Sequence, residues 1–345
     1  MRIAMLAPIS HQIPPVGYGP WEQVAGDLTD GLVAAGHDVT LFASAGAGTR
    51  AKLEATVPFA MSEWPDDDPN DPRVWEEIHV AVMAKAVSEN GFDIIHSHLN
   101  VHPLGFAALL DPPMITTLHG SAWNRSIHPA LARFSHLPFV SLSESERSFY
   151  PELNYVATVN NGIRCESFRF SDTSHEFLLF AGRLAPEKRP ETAIEVARRS
   201  GRPIKLAGPI EDKHRGYFDA EVAPLVDGSQ VEYLGNLVRA DMVDLYPKAA
   251  ALLMPLAWDE PFGLVVAESL ASGTPVIGWR RGALPELIRD GVTGMIVDDL
   301  DAAVAAIDGL DRFDRGECRH DAETRFSVET MTAGYVTAYE RVLSD

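Results

Sequence analysis

The sequence predicts an α/β protein made of two doubly wound parallel-sheet domains. Three observations predict it. Short apolar strand candidates alternate with segments of helical period along nearly the whole chain, the order required by a parallel sheet flanked by helices. Most of these strand candidates are continuous apolar runs, as strands buried on both faces must be. The chain has 345 residues, and at roughly 100–200 residues per domain that length carries two cores.

In the first half the strand candidates are Arg2–Ala7, Asp38–Ala43, Asp93–Ser97, Met114–Leu118, Phe139–Leu142 and Tyr155–Val159. In the second half they are Phe177–Ala181, Ile204–Ala207, Val231–Leu234, Ala251–Pro255, Pro275–Gly278 and Met295–Val297. The join falls near Gly162–Arg169, after Asn160-Asn161-Gly162, which has turn chemistry. The expected division is therefore 1–165, 166–326 and a final helix in 327–345. Ser327 is its N-cap candidate and Glu329 lies in its first turn. Val328, Met331, Tyr335, Ala338, Tyr339 and Val342 give that helix an apolar stripe. The acidic, proline-rich stretch Trp64–Pro72 reads as a surface loop. Open α/β sheets bind ligands beyond the carboxyl ends of their strands, so two such domains are expected to face each other across a ligand cleft.

Composition narrows the function classes. A net charge of −20, with acidic excess in both halves, disfavours a nucleic-acid partner, which needs a basic stripe. It also disfavours docking on anionic lipid. An anionic small molecule would need a local site built from a few placed cations and helix N-termini. Two cysteines, Cys165 and Cys318, make neither a disulfide framework nor a thiolate metal site. A reducing, cytoplasmic setting is the simpler expectation. No run approaches the ~18 apolar residues of a transmembrane helix. The apolar N-terminus is stopped by Pro8 and reads as a first strand, not a signal peptide.

The most informative segment runs from Trp258 through Glu260, Pro261, Phe262, Gly263, Leu264, Glu268 and Gly273 to Ile277. A strand candidate ends just before it. Pro261 is placed to open a helix and Gly273 to close one. Glu260 then sits at the helix mouth and Glu268 about two turns inside. Unsatisfied N–H groups around Phe262, Gly263 and Leu264 suit phosphate or sugar oxygens. Ionised carboxylates accept hydrogen bonds only, which suits sugar and ribose hydroxyls. A bare pair of glutamates eight apart is otherwise common on solvated helices.

A second motif, Phe180-Ala-Gly-Arg-Leu-Ala-Pro-Glu-Lys188, puts Arg183 and Lys188 beyond a buried-type strand. Two cations there can neutralise a diphosphate, arginine by paired hydrogen bonds and lysine as a point charge. They would equally serve as surface partners of Glu187 and Glu191. A third, Pro14-Pro-Val-Gly-Tyr-Gly-Pro-Trp-Glu22, brings Gly17 and Gly19 to the first loop but lacks the third glycine of a dinucleotide fingerprint. A nicotinamide-dependent dehydrogenase is thus a distant reading. In Thr116-Thr-Leu-His-Gly120, His119 stands at a strand's carboxyl end. His96 and His98 share a face by strand alternation but have no further acidic ligand near, so no metal is expected. Asp66-Asp67-Asp68 reads as solvated charge.

Together these segments resemble the retaining glycosyltransferases of family 4, of GT-B fold. The specific parts are Glu260-Pro-Phe-Gly-Leu-Val-Val-Ala-Glu268, Gly182-Arg-Leu-x(3)-Lys188, Gly282-Ala-Leu-Pro-Glu286 and Asp290-Gly-Val-Thr-Gly294. The first loop and Thr-Leu-His-Gly look like those of short bacterial members. The resemblance implies that Arg183 and Lys188 bind the donor diphosphate and stabilise the leaving group. It implies that Glu260 holds the transferred sugar, helped by backbone at Phe262, Gly263 and Leu264, and that Glu268 holds the ribose. Tyr233 and Leu234 would lie by the base. His119 would contact the sugar, and Gly17 and Gly19 would let the first loop close on the phosphates. The final helix would cross back onto the first domain. Two departures stand out: Pro20 follows Gly19, where relatives often have a second glycine, and Arg164 follows Asn161-Gly-Ile163, where aspartate is common.

The expected reaction is metal-independent transfer of a sugar, with retention, from a nucleotide-diphosphate sugar to a hydroxyl. UDP-glucose is the first donor to consider and no cofactor is required. The acceptor is unread: Ala130–Phe139 carries only Arg133 and His136, which favours a small or soluble acceptor over a membrane-bound one. Trp123 offers a stacking face. A GT-B sugar-nucleotide epimerase and a non-catalytic sugar-nucleotide-binding protein are the alternatives.

Overall fold

The computed structural model describes residues 1–64, 71–120, 124–174 and 177–344. Asp66-Asp67-Asp68 and Trp123 therefore lie outside the described residues. The chain forms two compact units. One comprises Met1–Gly162 with Val328–Asp345, the other Ile163–Ser327.

The first unit is built on seven strands: β1 (Arg2–Leu6), β2 (Asp38–Ser44), β3 (Lys52–Val57), β4 (Ile94–Ser97), β5 (Met114–Thr117), β6 (Pro138–Ser141) and β7 (Asn154–Thr158). They form one parallel sheet in the order β3-β2-β1-β4-β5-β6-β7. The sheet winds outward from β1 and β4, so the strand order reverses between those two. β3 escapes the sequence reading for a physical reason. It is an edge strand, Lys-Leu-Glu-Ala-Thr-Val, exposed or half-buried over its first four residues, so it lacks the continuous apolar run of a central strand.

The helix Pro20–Ala34 starts with proline at its first position and Gly19 as N-cap, as the Gly19-Pro20 departure allows. It packs closely on the final helix, Val328–Ser344. A Cβ on Gly31 would fall 2.2 Å from Thr332 Oγ1, so glycine permits that approach. The final helix also lies along β7: Arg341 Nη1 donates to Val156 O at 2.8 Å. Tyr335 and Tyr339 are fully buried. Asn160-Asn161-Gly162 forms no turn. Asn160 Nδ2 instead donates to Leu142 O at 2.8 Å and the Gly162 N–H points at Met331 Sδ, 3.0 Å away. The segment Ala130–Phe139 is not one helix: the helix ends at Arg133, and Phe139 belongs to β6. Pro72 opens the helix Pro72–Glu89 and does not close a loop.

The second unit has six strands: β8 (Leu178–Ala181), β9 (Ile204–Ala207), β10 (Val231–Tyr233), β11 (Ala251–Met254), β12 (Val276–Trp279) and β13 (Gly294–Val297). They are parallel in the order β10-β9-β8-β11-β12-β13, with the reversal between β8 and β11. The core packs Leu178, Phe180, Leu206, Leu253 and Ile277 against Ile194, Val222 and Ile307. Both units are thus doubly wound α/β sheets.

Arg315, in the helix Arg315–Arg325, locks the second unit from behind. Its guanidinium donates to Ser171 O (2.8 Å), Ala249 O (3.1 Å), Pro247 O (2.8 Å) and Thr274 Oγ1 (2.7 Å). Removing it leaves several buried acceptors unmade, each costing ~1–3 kcal/mol. Arg315→Met is expected to lower unfolding free energy by more than ~3 kcal/mol in urea titration. Arg315→Lys recovers only part, because an ammonium lacks the planar fork. A loss below ~1 kcal/mol would show that these acceptors find water instead.

Candidate active site

In the second unit the strand order reverses between β8 and β11, and ligand sites of open α/β sheets form at such reversals. Two loops leave the sheet there. One follows β8 and carries Arg183 and Lys188; the other follows β11 and carries Trp258 and Glu260. Ala257 N donates to Glu187 O at 2.9 Å and ties the loops together. Lys188 Nζ then forms an ion pair with the Glu260 carboxylate. The Trp258 indole N–H donates to the same Glu260 Oε2 at 3.0 Å, and Lys188 Nζ lies 4.7 Å from the centroid of the Trp258 ring. Both charged side chains are largely buried, 13% and 12% exposed. At that depth a charge without a partner is costly, so the pairing holds each in place.

The Glu260 backbone is gripped from the loop after β12. Ala283 N donates to Glu260 O at 2.8 Å. Gly282 sits at φ 54°, and a Cβ there would lie 2.2 Å from Glu260 N, so the position demands glycine on both counts. This grip also moves the helix start. The Glu260 carbonyl, which a helix opened at Pro261 would use, is taken by Ala283, and Gly263 is left-handed at φ 91°. The helix is therefore Leu264–Ala271 with Gly263 as N-cap. Pro261 stays outside it, and Glu268 lies about one turn inside, not two. Phe262 is buried edge-on against Phe326, so it offers the mouth its backbone only. Glu268 accepts from Tyr246 Oη at 2.8 Å and has Arg239 3.6 Å away. Burial, reinforced by Glu268, pushes the Tyr246 phenol far above its ordinary range, which keeps it a donor.

Arg183 is placed beside Lys188 in sequence but has other partners: Glu187 at 3.1 Å and Glu211 at 2.9 Å. Burial pushes Glu211 up, but hydrogen bonds and charge from Arg183 and Lys213 outweigh it and hold the carboxyl below its usual range. Glu191 pairs with Arg189, not with Lys188. Tyr233 and Leu234 sit at the carboxyl end of β10. The Tyr233 hydroxyl donates to Gly208 O at 2.9 Å and its ring tilts against Phe218; Leu234 N donates to Leu206 O at 2.9 Å.

In the first unit, Gly17 is exposed and Gly19 buried. A Cβ on Gly19 would approach Pro15 Cβ to 2.7 Å, so packing within the loop already asks for glycine. The next residues bring Trp21 over His119, ring centroids 5.7 Å apart and nearly parallel. His119 has φ 48°. Its Nε2 bonds to His98 Nδ1 at 2.7 Å. The His98 ring lies tilted against His96, whose Nδ1 meets Tyr339 Oη (2.7 Å) and whose Nε2 meets Thr117 Oγ1 (2.9 Å). Burial depresses the pKa of both His96 and His119 to about 3 and drives His98 well below its ordinary value. Glu146 accepts from the Gly120 and Leu142 N–H groups, and burial raises its pKa to about 7. Sequence reasoning placed Trp258 and Gly282 in motifs without giving them a role, and named none of Tyr246, Trp21 or Glu146 as parts of a site. The shared strand face of His96 and His98 was the one available signal. Among the described residues no group of three or more His, Cys, Asp or Glu side chains could hold a metal ion.

The family model for glycosyl transferases group 1 matches residues 167–322, and that for glycosyltransferase family 4 matches residues 21–166. The chain belongs to glycosyltransferase family 4. This family 4 glycosyltransferase is 27% identical over 352 aligned residues to a glycogen synthase of Mycobacterium tuberculosis, covering 88% of this chain and 84% of that protein. It resembles the crystal structure of AviGT4, a glycosyltransferase involved in avilamycin A biosynthesis, at 25% identity and TM-score 0.73, covering 100% and 98% of the two chains. HepE of Anabaena, solved with UDP-glucose, has the same fold at 17% identity and TM-score 0.73, covering 100% of both chains. The glycosyltransferase is thus an enzyme of a retaining family with the GT-B fold. No helix among its described residues is long and apolar enough to cross a membrane.

The buried histidines make a pH prediction. Unfolded, they take protons below about 6.5; folded, His96 and His119 refuse them until about pH 3. The unfolded chain binds more protons throughout that window, so stability falls as pH drops from about 6.5, by ~1.4 kcal/mol per pH unit for each proton. NMR titration should show His119 neutral down to pH 5. A His119 midpoint near 6.5 would contradict the burial argument.

Proposed function

We propose that this glycosyltransferase binds a nucleotide-diphosphate sugar, UDP-glucose being the first candidate, at the reversal of the second sheet. It transfers the sugar with retention to a hydroxyl of a small or soluble acceptor. The observation that carries the reading is the Lys188–Glu260 pair, a buried cation and anion held by two loop clamps where an α/β sheet binds ligands.

In this reading Lys188 and Arg183 receive the diphosphate, and the N–H groups at and just before the helix start, those of Phe262, Gly263 and Leu264, add donors. Glu260 accepts from hydroxyls of the transferred sugar. Glu268, fixed by Tyr246 and Arg239, accepts from the ribose, with Tyr233 and Leu234 beside the base. His119 meets a sugar hydroxyl, and Gly17 and Gly19 give the first loop its close approach to phosphate. The bond from the anomeric carbon to the diphosphate oxygen breaks, and the bond to the acceptor oxygen forms on the same face. The acceptor proton passes to the departing phosphate oxygen. Negative charge grows on the diphosphate as the bond lengthens, so fixed cations stabilise the transition state more than the ground state. No metal is required by this scheme. That HepE was solved with UDP-glucose is the reason to test that donor first.

A thermal-shift panel of UDP-, GDP- and ADP-sugars identifies the donor by its stabilisation. With that donor, Lys188→Ala should lower transfer by ~100-fold or more, as loss of a transition-state cation does, in a protein that circular dichroism still shows folded. Transfer near wild type would refute the site assignment.

A further inference from the structure

Within the first unit, His98 and His119 form a pair whose proton placement the surroundings decide. His98 Nδ1 and His119 Nε2 are 2.7 Å apart, and both rings are buried. Both are neutral, so one nitrogen of the contact carries the proton and the other accepts it. Two arrangements satisfy the bond. In the first, His98 carries its proton on Nδ1 and its Nε2 is a bare lone pair. In the second, His119 carries its proton on Nε2, and His98 must then hold its own on Nε2.

Among the described residues His98 Nε2 has no hydrogen-bond partner, and it is shut off from solvent. The second arrangement would bury an N–H with nothing to receive it. Orphaned buried N–H groups are rarer than under-satisfied acceptors, and a lone pair on an imidazole nitrogen is the lesser penalty. The first arrangement wins. His119, receiving a proton at Nε2, must then carry its own on Nδ1.

The remainder of the cluster does not reverse this. His96 faces two hydroxyls, Tyr339 and Thr117, the latter continuing to Tyr335 at 3.0 Å. Hydroxyls rotate to either role, so His96 accommodates its neighbours and imposes no order on His98. Trp21 covers the His119 ring without bonding its nitrogens. Glu146 holds the Gly120 N–H, fixing the backbone on which His119 sits at positive φ. The ring, its backbone and its proton are each held by a different residue.

We infer that His98 is a positioning residue that fixes the tautomer of His119, making His119 an obligate hydrogen-bond donor through Nδ1. Such a donor recognises an oxygen acceptor, a sugar hydroxyl or ring oxygen, and is unable to act as a base. This rests on the reading that His119 meets sugar; the tautomer itself does not.

The test is a long-range proton–nitrogen correlation spectrum of the 15N-labelled full chain, with transfer from UDP-glucose measured in parallel. Wild type should show His119 protonated on Nδ1 and bare on Nε2. In His98→Asn the amide nitrogen can stand where Nδ1 stood, so the tautomer and kcat should be kept. His98→Ala should give mixed tautomers and a kcat about tenfold lower, the loss of one oriented hydrogen bond, with KM for the donor changed less. A His119 protonated on Nε2 in wild type would overturn the inference, as would an unchanged tautomer in His98→Ala. The wild-type spectrum decides even if a variant fails to fold. If His119→Ala transfers sugar normally while the spectrum is as expected, the sugar contact fails and the tautomer assignment stands.

Discussion

The ion pair between Lys188 and Glu260 organises the loops at the second unit's strand-order reversal. Neither charge tolerates its buried position alone, and each comes from a loop that the other helps to anchor. The Ala257–Glu187 backbone bond sets the spacing, Gly282 and Ala283 hold the glutamate from behind, and Trp258 touches both charges. The helix Leu264–Ala271 begins where it does because the Glu260 carbonyl is already taken. A cation held by an anion is also a cation ready to change partners. If a diphosphate binds here as proposed, it offers Lys188 more negative charge than one carboxylate, so the pair redistributes at little cost in desolvation.

The first unit uses a different device. Its reversal lies between β1 and β4, and the chain leaving β4 carries His98 while that leaving β5 carries His119. Here burial removes charge: three imidazoles in a row, of which His96 packs against Tyr335 and Tyr339, all have depressed pKa values. The two tyrosines come from the final helix, which is therefore part of the support of His119 as well as a lid on the sheet.

Much of this was legible in the residues. Most of the strands announce themselves as apolar runs because both sheet faces are covered, and β3 is silent because its first four residues are exposed or half-buried. The residues proposed for the donor are grouped by local chemistry: Glu260, Gly263 and Glu268 stand in a short segment around one helix mouth. What was not legible depends on partners distant in sequence. The Lys188–Glu260 pairing spans 72 residues, the His96–Tyr339 bond spans 243, and no periodicity encodes either. The helix start was misread for the same reason, since Pro261 is a sound local signal overruled by a carbonyl claimed from the loop after β12.

If Glu260 holds sugar and restrains Lys188, the two roles separate in Glu260→Gln. Calorimetric titration of UDP into this variant and into wild type, beside the transfer rate from UDP-glucose, distinguishes them. UDP should bind the variant at least as tightly, because Lys188 has lost its competing partner, while transfer falls by ~100-fold. UDP affinity and transfer falling together by the same factor would contradict this division of roles and mark Glu260 as a support of the fold.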